Sequence, residues 1–283
     1  MPKLFLSPSL KSGSVLIVSI WILVFFTILS VGLYRIVSTQ IKLVKTLEER
    51  TLALYPAKAA CAYAALERKF DHTASDSFSE LRHKRKKDLG GGGKFSYTYL
   101  DEESKLNINS ASLDMLSRLP GLNLELAQSI VGSELKPFNL KEELLLVEGI
   151  TEEIFNQFKD YITVYTEGKI NLNTACEQAL KALGLSDDFV MALNEFRLGK
   201  DGKEFSEDDG VFENTGEIVN KLKDAGLSGL DEVTLISLIN QGLIGVESKN
   251  LILQVETEIL YRAAMKYAIV MDKEGKIKQW SEF

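Results

Sequence analysis

From Ser12 to Tyr34 the chain carries no charged residue, a run of 23 positions. A helix of about 20 apolar residues crosses the hydrocarbon core of a bilayer. The run therefore predicts a membrane span over 14–36. The apolar pattern does not stop there. Ile36, Ile41, Val44 and Leu47 keep a rough helical spacing. Pro56 is the first proline after the span, so the pattern predicts a helix from Ser14 to about Tyr55, roughly 60 Å long. Helical character resumes in the Ala-rich stretch after Pro56, to about Lys69. Strict alternation then appears. Phe95, Tyr97 and Tyr99 alternate with Ser96 and Thr98, which predicts a strand. "DEESK", Asp101–Lys105, reads as the turn after it. Near the C-terminus Leu251, Leu253, Val255, Thr257 and Ile259 alternate again. A second strand follows, then a turn at Asp272–Gly275 and a third strand ending at Trp280, which predicts a β-hairpin.

The middle of the chain repeats itself. "KLNINSA" at 105–111 matches "KINLNTA" at 169–175, offset by 64 residues. Each copy reads as a strand end running into a helix cap. Ser112 is placed to cap the first helix, and Thr174 with Glu177 fits a capping box. Leu113, Leu116, Leu119, Leu122, Leu126 and Ile130 then have helical spacing, broken by Pro120-Gly121 into two short helices. Val147, Gly149 and Ile150 do the same 28 residues on, and Leu183, Gly184 and Leu185 repeat the idea. These are helix-hairpin-helix-like elements. Such hairpins often hold a phosphate on backbone N–H groups, aided by nearby Lys or Arg. Here Asn123 stands where a second glycine would be, with Glu125 beside it, and Glu152 and Glu153 follow the second hairpin. Acid repels phosphate, so the hairpins are expected to be structural.

Two polar stretches carry no recognisable chemistry. The basic run Arg82–Lys87 leads to Gly90–Gly93 and Lys94, but Phe95 stands where a phosphate loop needs Ser or Thr. A flexible, solvated loop is expected. Asp201, Glu204, Glu207, Asp208 and Asp209 cluster without the spacing of an EF-hand, which predicts a solvated acidic loop.

Composition narrows the function classes. The chain has 283 residues and a net charge of −7. That length allows a sizeable core, and that charge disfavours nucleic acid. His72 and His83 are the only histidines, which leaves little for histidine-based catalysis. Cys61 and Cys176 fit either two free thiols or one bridge, and match no zinc pattern. Lys3 and Lys11 precede the apolar run and Arg35, Lys42 and Lys45 follow it, so charge alone does not orient the span.

The basic leader, Gly13, the apolar span and its amphipathic extension resemble the N-terminus of type IV pilins and type II secretion pseudopilins. The resemblance implies that a prepilin peptidase cuts after Gly13, making 1–13 the leader and Ser14 the new N-terminus. Glycine suits an extended backbone entering a protease site. Most pilins carry Glu at the fifth mature position, but here that position is Val18. The minor pseudopilin K class is similar in lacking that Glu. "DEESKLNINSAS", "VEGITEEIFNQFKDYITVYTEGKINLNTA" and the closing "IKQWSEF" also resemble minor pseudopilin K (general secretion pathway protein K), in the same order and over nearly the whole chain.

The resemblance implies an α+β fold: a pilin-like long N-terminal helix, a small antiparallel sheet and a large inserted all-α subdomain. The divisions it predicts are leader 1–13, span 14–36 and helix extension, linker and first strand 37–110. The helical insertion is 111–244, interrupted by a strand segment at 161–173, and the closing strands are 245–283. It implies a fibre-tip subunit that initiates assembly and supports protein export, single-pass in the inner membrane, with the N-terminus cytoplasmic and the body periplasmic. Other minor pseudopilins, the major pseudopilin and the prepilin peptidase are the implied partners. No nucleic acid and no enzymatic activity are expected. The family's acidic metal segment is not visible, so no cofactor is expected, with calcium the one candidate. The competing reading is a membrane-anchored helix-hairpin-helix DNA receptor for uptake, which calls for basic hairpins and a shorter chain.

Overall fold

The computed structural model describes residues 12–204, 206, 208–224, 227, 229–259 and 262–283. Residues 1–11, which hold most of the expected leader with Lys3 and Lys11, lie outside them. The chain divides into two units, with the boundary between Leu54 and Tyr55.

The first unit is the leading part of helix α1, Ser12–Phe70. α1 is long and apolar enough to cross a membrane. Hydroxyls inside the apolar run turn back onto the helix itself: Ser19 Oγ donates to Leu16 O at 2.8 Å and Thr27 Oγ1 to Leu23 O at 2.8 Å. Such bonds satisfy these two hydroxyl donors without water. The expected end near Tyr55 is corrected, because α1 passes through Pro56 unbroken. Proline removes one backbone hydrogen bond and crowds the preceding turn. Here the alanines around it are the strongest helix formers, and Ala57, Ala60 and Ala64 are fully buried.

In the second unit those alanines face a five-stranded antiparallel sheet. The strands are β1 (Arg85–Asp88), β2 (Gly93–Asp101), β7 (Asn250–Ile259), β8 (Arg262–Asp272) and β9 (Ile277–Glu282), in that spatial order. A short helix, α2 (Phe78–Arg82), precedes β1. The alternation in sequence becomes the pleat. Tyr97 sits opposite Val255, which sits opposite Tyr267; Tyr99, Leu253 and Ile269 form the next row. All six are buried. Small alanines let α1 approach, and the tyrosine hydroxyls reach it. Tyr99 donates to Ala64 O at 3.1 Å and Tyr97 to Glu67 Oε2 at 2.8 Å. The β8–β9 turn also closes on α1. Gly275 has φ +84°, and a Cβ there would lie 2.6 Å from Ala65 Cβ.

The basic run expected to be a loop is instead partly the edge strand β1, paired Arg85 to Tyr97 through Asp88 to Lys94, with Gly90–Gly92 as its turn. Lysines on an edge strand discourage further pairing, which explains why a strand there carries no apolar alternation.

Between β2 and β7 lie two helical modules of matching layout. The first opens at β3 (Leu106–Asn107) and closes at β4 (Ile162–Thr163), paired in parallel. Between them are α3 (Leu113–Ser117), α4 (Leu124–Val131), a 3-10 helix (Lys141–Leu146) and α5 (Glu152–Phe158). The second opens at β5 (Ile170–Asn171) and closes at β6 (Ile244–Gly245), again parallel. It holds α6 (Glu177–Ala182), α7 (Asp187–Leu198), α8 (Ile218–Asp224) and α9 (Gly229–Asn240). The sequence repeat marks the start of each. In the first, Asn109 Nδ2 donates to Phe138 O at 2.9 Å and Phe138 N returns to Asn109 Oδ1 at 2.8 Å. Asn173 and Phe212 repeat this exchange at 2.9 and 2.8 Å.

"DEESK" is a turn, as its place after the strand predicts, but a buried one. Asp101, Glu102 and Glu103 are all buried. Asp101 Oδ2 accepts from Asn171 Nδ2 at 3.0 Å, Ser248 Oγ at 2.5 Å and the Thr174 hydroxyl. Thr174 is therefore committed to Asp101, and the expected capping box fails: Cys176 occupies the cap of α6 without a side-chain bond. Glu102 accepts from Lys105 at 2.7 Å and from Thr163, at the end of the first module. Glu103 accepts from Asn250 N at 2.9 Å and Nδ2 at 2.8 Å, at the start of β7.

Burial, then the neighbouring Asp101 charge, pushes the Glu103 carboxyl up to about 8. A carboxyl raised on folding holds its proton more tightly in the native state. Its contribution is full below the ordinary value of 4.5 and is lost as pH rises through about 8. Chemical denaturation of the full chain in detergent should show stability falling between pH 5 and 8, by an amount on the order of a few kcal/mol. Glu103→Gln should flatten that slope. A wild-type curve that rises over the same range would contradict the burial argument.

Candidate functional site

Three features could carry function: the start of α1, the uncovered face of α1 in the second unit, and the hairpins. Gly13 and Ser14 lie in the first turn of α1. The backbone at Gly13 is thus helical, not extended as a protease needs. Glycine weakens a helix by roughly 0.5–1 kcal/mol relative to Ala, so the first turn is where local unwinding costs least. Val18 lies one turn further on and is exposed, as is every described apolar side chain of the run from Val15 to Tyr34.

Beyond Leu54 the helix has two apolar sides. Ala57, Ala60, Cys61 and Ala64 are buried, while Tyr55, Tyr63, Leu66 and Phe70 are exposed, Phe70 at 67%. At 100° per residue those four fall within one arc of about 80°, away from the alanines. The sheet uses one side of the helix; Tyr63 leans its ring on Phe95 of β2 at 5.7 Å between centroids, while a stripe of Tyr55, Leu66 and Phe70 stays open.

The hairpins are built by a common device. Gly121, Gly149 and Gly184 all have φ between +75° and +91°, a region only glycine enters freely. An apolar residue follows each, then a helix cap. Leu126 N donates to Asn123 Oδ1 at 2.8 Å, Ile154 N to Thr151 Oγ1 at 3.4 Å and Phe189 N to Ser186 Oγ at 3.1 Å. The N–H groups a phosphate would approach in α4, α5 and α7 are therefore partly used by their own caps. The first two hairpins also interlock. A Cβ on Gly121 would lie 2.7 Å from Gln157 of α5, and one on Gly149 would lie 2.8 Å from Leu126 of α4. Leu119, Leu122, Val147 and Ile150 are buried in the helical core. Asn123, Glu125, Glu152 and Glu153 are exposed around them.

A fourth hairpin signal was missed in the sequence. Gly226-Leu227-Ser228 has the same glycine, apolar and cap order as Gly184-Leu185-Ser186. Gly226 and Ser228 lie outside the described residues. Leu227 N donates to Leu222 O at 3.1 Å, as Leu185 N does to Leu180 O at 3.3 Å. The long polar insertion before α8 hides this pairing, because it stretches the hairpin spacing from 28 to 42 residues.

Cation-binding candidates resolve into other arrangements. Asp71, Asp76 and Glu80 come together, but the buried Arg68 stands among them. Its Nη1 is 2.7 Å from Asp71 Oδ2 and 2.6 Å from Asp76 Oδ1. Burial, then the Asp76 and Asp71 charges, raises the Glu80 carboxyl above its usual value. In the acidic loop, Asp208 Oδ2 accepts from Lys200 N at 2.7 Å, and Ser206 Oγ donates to Asp208 Oδ1 at 2.6 Å. Those carboxylates fold the loop on itself; Glu207 lies outside the described residues. Cys61 and Cys176 are free thiols, and burial pushes Cys61 up to about 11.

A helix-hairpin-helix motif family matches residues 101–163, the first module. No curated protein matches the chain. The fold is similar to that of a chain in the crystal structure of the GspK-GspI-GspJ complex from the enterotoxigenic Escherichia coli type 2 secretion system. That similarity covers 85% of this chain and 97% of the other, at a TM-score of 0.55 and 15% identity. The α+β, pilin-like architecture is thereby shown.

The hairpin geometry makes two expectations. Gly149→Ala should destabilise the protein by about 1–2 kcal/mol, the cost of a left-handed backbone for a residue with a Cβ. Gly93→Ala should be nearly neutral, since Gly93 lies outside the left-handed region and a Cβ there would meet only ordinary contacts at 3.8 Å. Denaturation midpoints of the two variants decide this. Fluorescence anisotropy with duplex DNA at low salt should detect no tight binding to the full chain in detergent. Tight, salt-sensitive binding would favour the DNA-receptor reading.

Proposed function

We propose that the chain is a minor pseudopilin that sits at the tip of a type II secretion fibre, starts its assembly and supports export across the outer membrane. The observation that carries this reading is helix α1. It supplies an apolar run of membrane length, and then one face for its own sheet and a second, exposed apolar face over Tyr55–Phe70. A subunit that joins a helical fibre needs that second face. The likeness to a chain of a complex named for GspK, GspI and GspJ supports the same reading.

In this reading the chain is processed after Gly13 by a prepilin peptidase and is held in the inner membrane by the span, with the body in the periplasm. Its partners are other minor pseudopilins and the major pseudopilin, through the α1 stripe. It catalyses no reaction and needs no cofactor. Val18 suits the top position. A Glu there would pair with the amine of a subunit above, and without that partner a carboxylate in lipid is costly. The two helical modules add bulk that leaves little room for a subunit above. The alternative, a DNA receptor, rests on the match to the helix-hairpin-helix motif and is opposed by the acidic residues at both hairpins of that module.

Processing is tested by co-expression with a prepilin peptidase and intact-mass analysis. Residues 1–13 should be lost, and Gly13→Val should block the cut. An unprocessed wild-type chain would sink the pilin-like reading. Assembly is tested separately. Leu66→Asp with Phe70→Asp should abolish co-purification with partner pseudopilins without unfolding the body, since both side chains are exposed. Val18→Glu should bring no gain in secretion. Incorporation of Val18→Glu along the fibre shaft, with normal fibre numbers when the protein is absent, would remove the tip assignment.

A further inference from the structure

The first helical module carries an open groove of about 700 Å³. One wall is α4 and the residues after it, from Glu125 to Leu135; the other is the end of the 3-10 helix and the start of the second hairpin, Leu146 to Glu148. Its apolar part is Leu135, Leu146 and Val147. Val147 is buried, whereas Leu146 is 73% exposed and Leu135 44%. Leu135 and Leu146 thus present apolar side chains to water at the groove. Its charged lining is acidic throughout: Glu125, Glu134 and Glu148, with no Lys or Arg. Among the described residues none of these three carboxylates has a cation within salt-bridge distance.

We propose that this groove is a docking site for a basic amphipathic segment of another protein, with apolar side chains on Leu135 and Leu146 and Lys or Arg facing Glu125, Glu134 and Glu148. Charge complementarity selects the occupant. Three like charges around one groove repel each other and any polyanion, and a cationic partner relieves both. The leucines supply the area that does not depend on salt. The same groove lies beside the Gly149 hairpin, so a scaffold of the kind that can face phosphate here presents negative charge of its own. The inference concerns a face separate from the α1 stripe and stands whether or not the chain is a fibre subunit.

The test uses the full chain in nanodiscs of zwitterionic lipid and a synthetic Leu/Lys helix with leucines at three- and four-residue spacing. Empty nanodiscs report binding to lipid alone. Hydrogen exchange should show protection by the peptide within 124–148 and not in the second module. The exposed triple variant Glu125→Lys, Glu134→Lys, Glu148→Lys should weaken binding at least tenfold at low salt. Leu146→Ser should weaken it severalfold at both low and high salt. A peptide with leucines replaced by serine should not bind, and a Leu/Glu helix should not bind. Unchanged affinity in the triple variant, or protection spread over the whole acidic body, would mean non-specific attraction and overturn the proposal. Sedimentation showing that the groove instead joins two copies of the chain would overturn it as well, as would protection of 124–148 by duplex DNA.

Discussion

The second unit depends on one constraint: three consecutive buried acids must all find donors. A carboxylate taken out of water is costly unless it is paired or hydrogen-bonded. Asp101, Glu102 and Glu103 meet that demand from three different places. Asp101 draws on Asn171, Thr174 and Ser248, Glu102 on Thr163 and Lys105, and Glu103 on Asn250. Those donors are the start of the second module, the end of the first and the start of β7. The end of α1 joins the same network: Ser248 N donates to Asp76 Oδ2 at 2.7 Å, and Asp76 Oδ1 is bonded to Arg68. Apolar contact alone would let these segments slide. Directional bonds to a fixed carboxyl do not.

Each module closes on itself before it meets this junction. A two-residue parallel bridge brings its ends together, and an Asn–Phe backbone exchange holds its middle. The chain can therefore leave the sheet at Asp101, complete two closed modules and return at Asn250, the residue after which β7 pairs with β2 through Leu251. The glycines serve this closure. In the first module each hairpin glycine gives the opposing helix room to approach, so the hairpins face inward against helices. Acid on their outer surface then has no fold-level cost, since those positions bury nothing.

Much of this was legible because the signals are local. The apolar run, the alternating tyrosines and the glycine hairpins each reveal their element within about ten residues, and all appear where the pattern put them. The rest needed long-range partners. β1 carries Arg85, Lys86 and Lys87, so no alternation announced it; only its pairing with β2 makes it a strand. "DEESK" has the composition of a solvated turn, and its burial follows from donors up to 147 residues away. Thr174 had the right spacing to cap a helix, but a buried carboxylate competed for its hydroxyl and won. The start of α1 was legible as a helix long and apolar enough to cross a membrane, while the open groove on the first module was not, because its walls come from residues 125–135 and 146–148.

Pro56 illustrates how tertiary packing decides what propensity leaves open. By itself it ends a helix or bends it. The six alanines that follow, Ala57, Ala59, Ala60, Ala62, Ala64 and Ala65, cost the least backbone freedom in helical form, and three of them are sealed completely. Burying small side chains yields little apolar area per residue, but it brings the helix backbone close enough for Tyr99 to bond Ala64 O directly. Larger residues on that face would lose this bond. The large residues are instead on the other side, where Tyr55, Leu66 and Phe70 remain in water. Nothing in the fold of the second unit requires them to be apolar. Their exposure is the observation on which the interaction reading of α1 rests, and it lies on the half of the helix outside the apolar run.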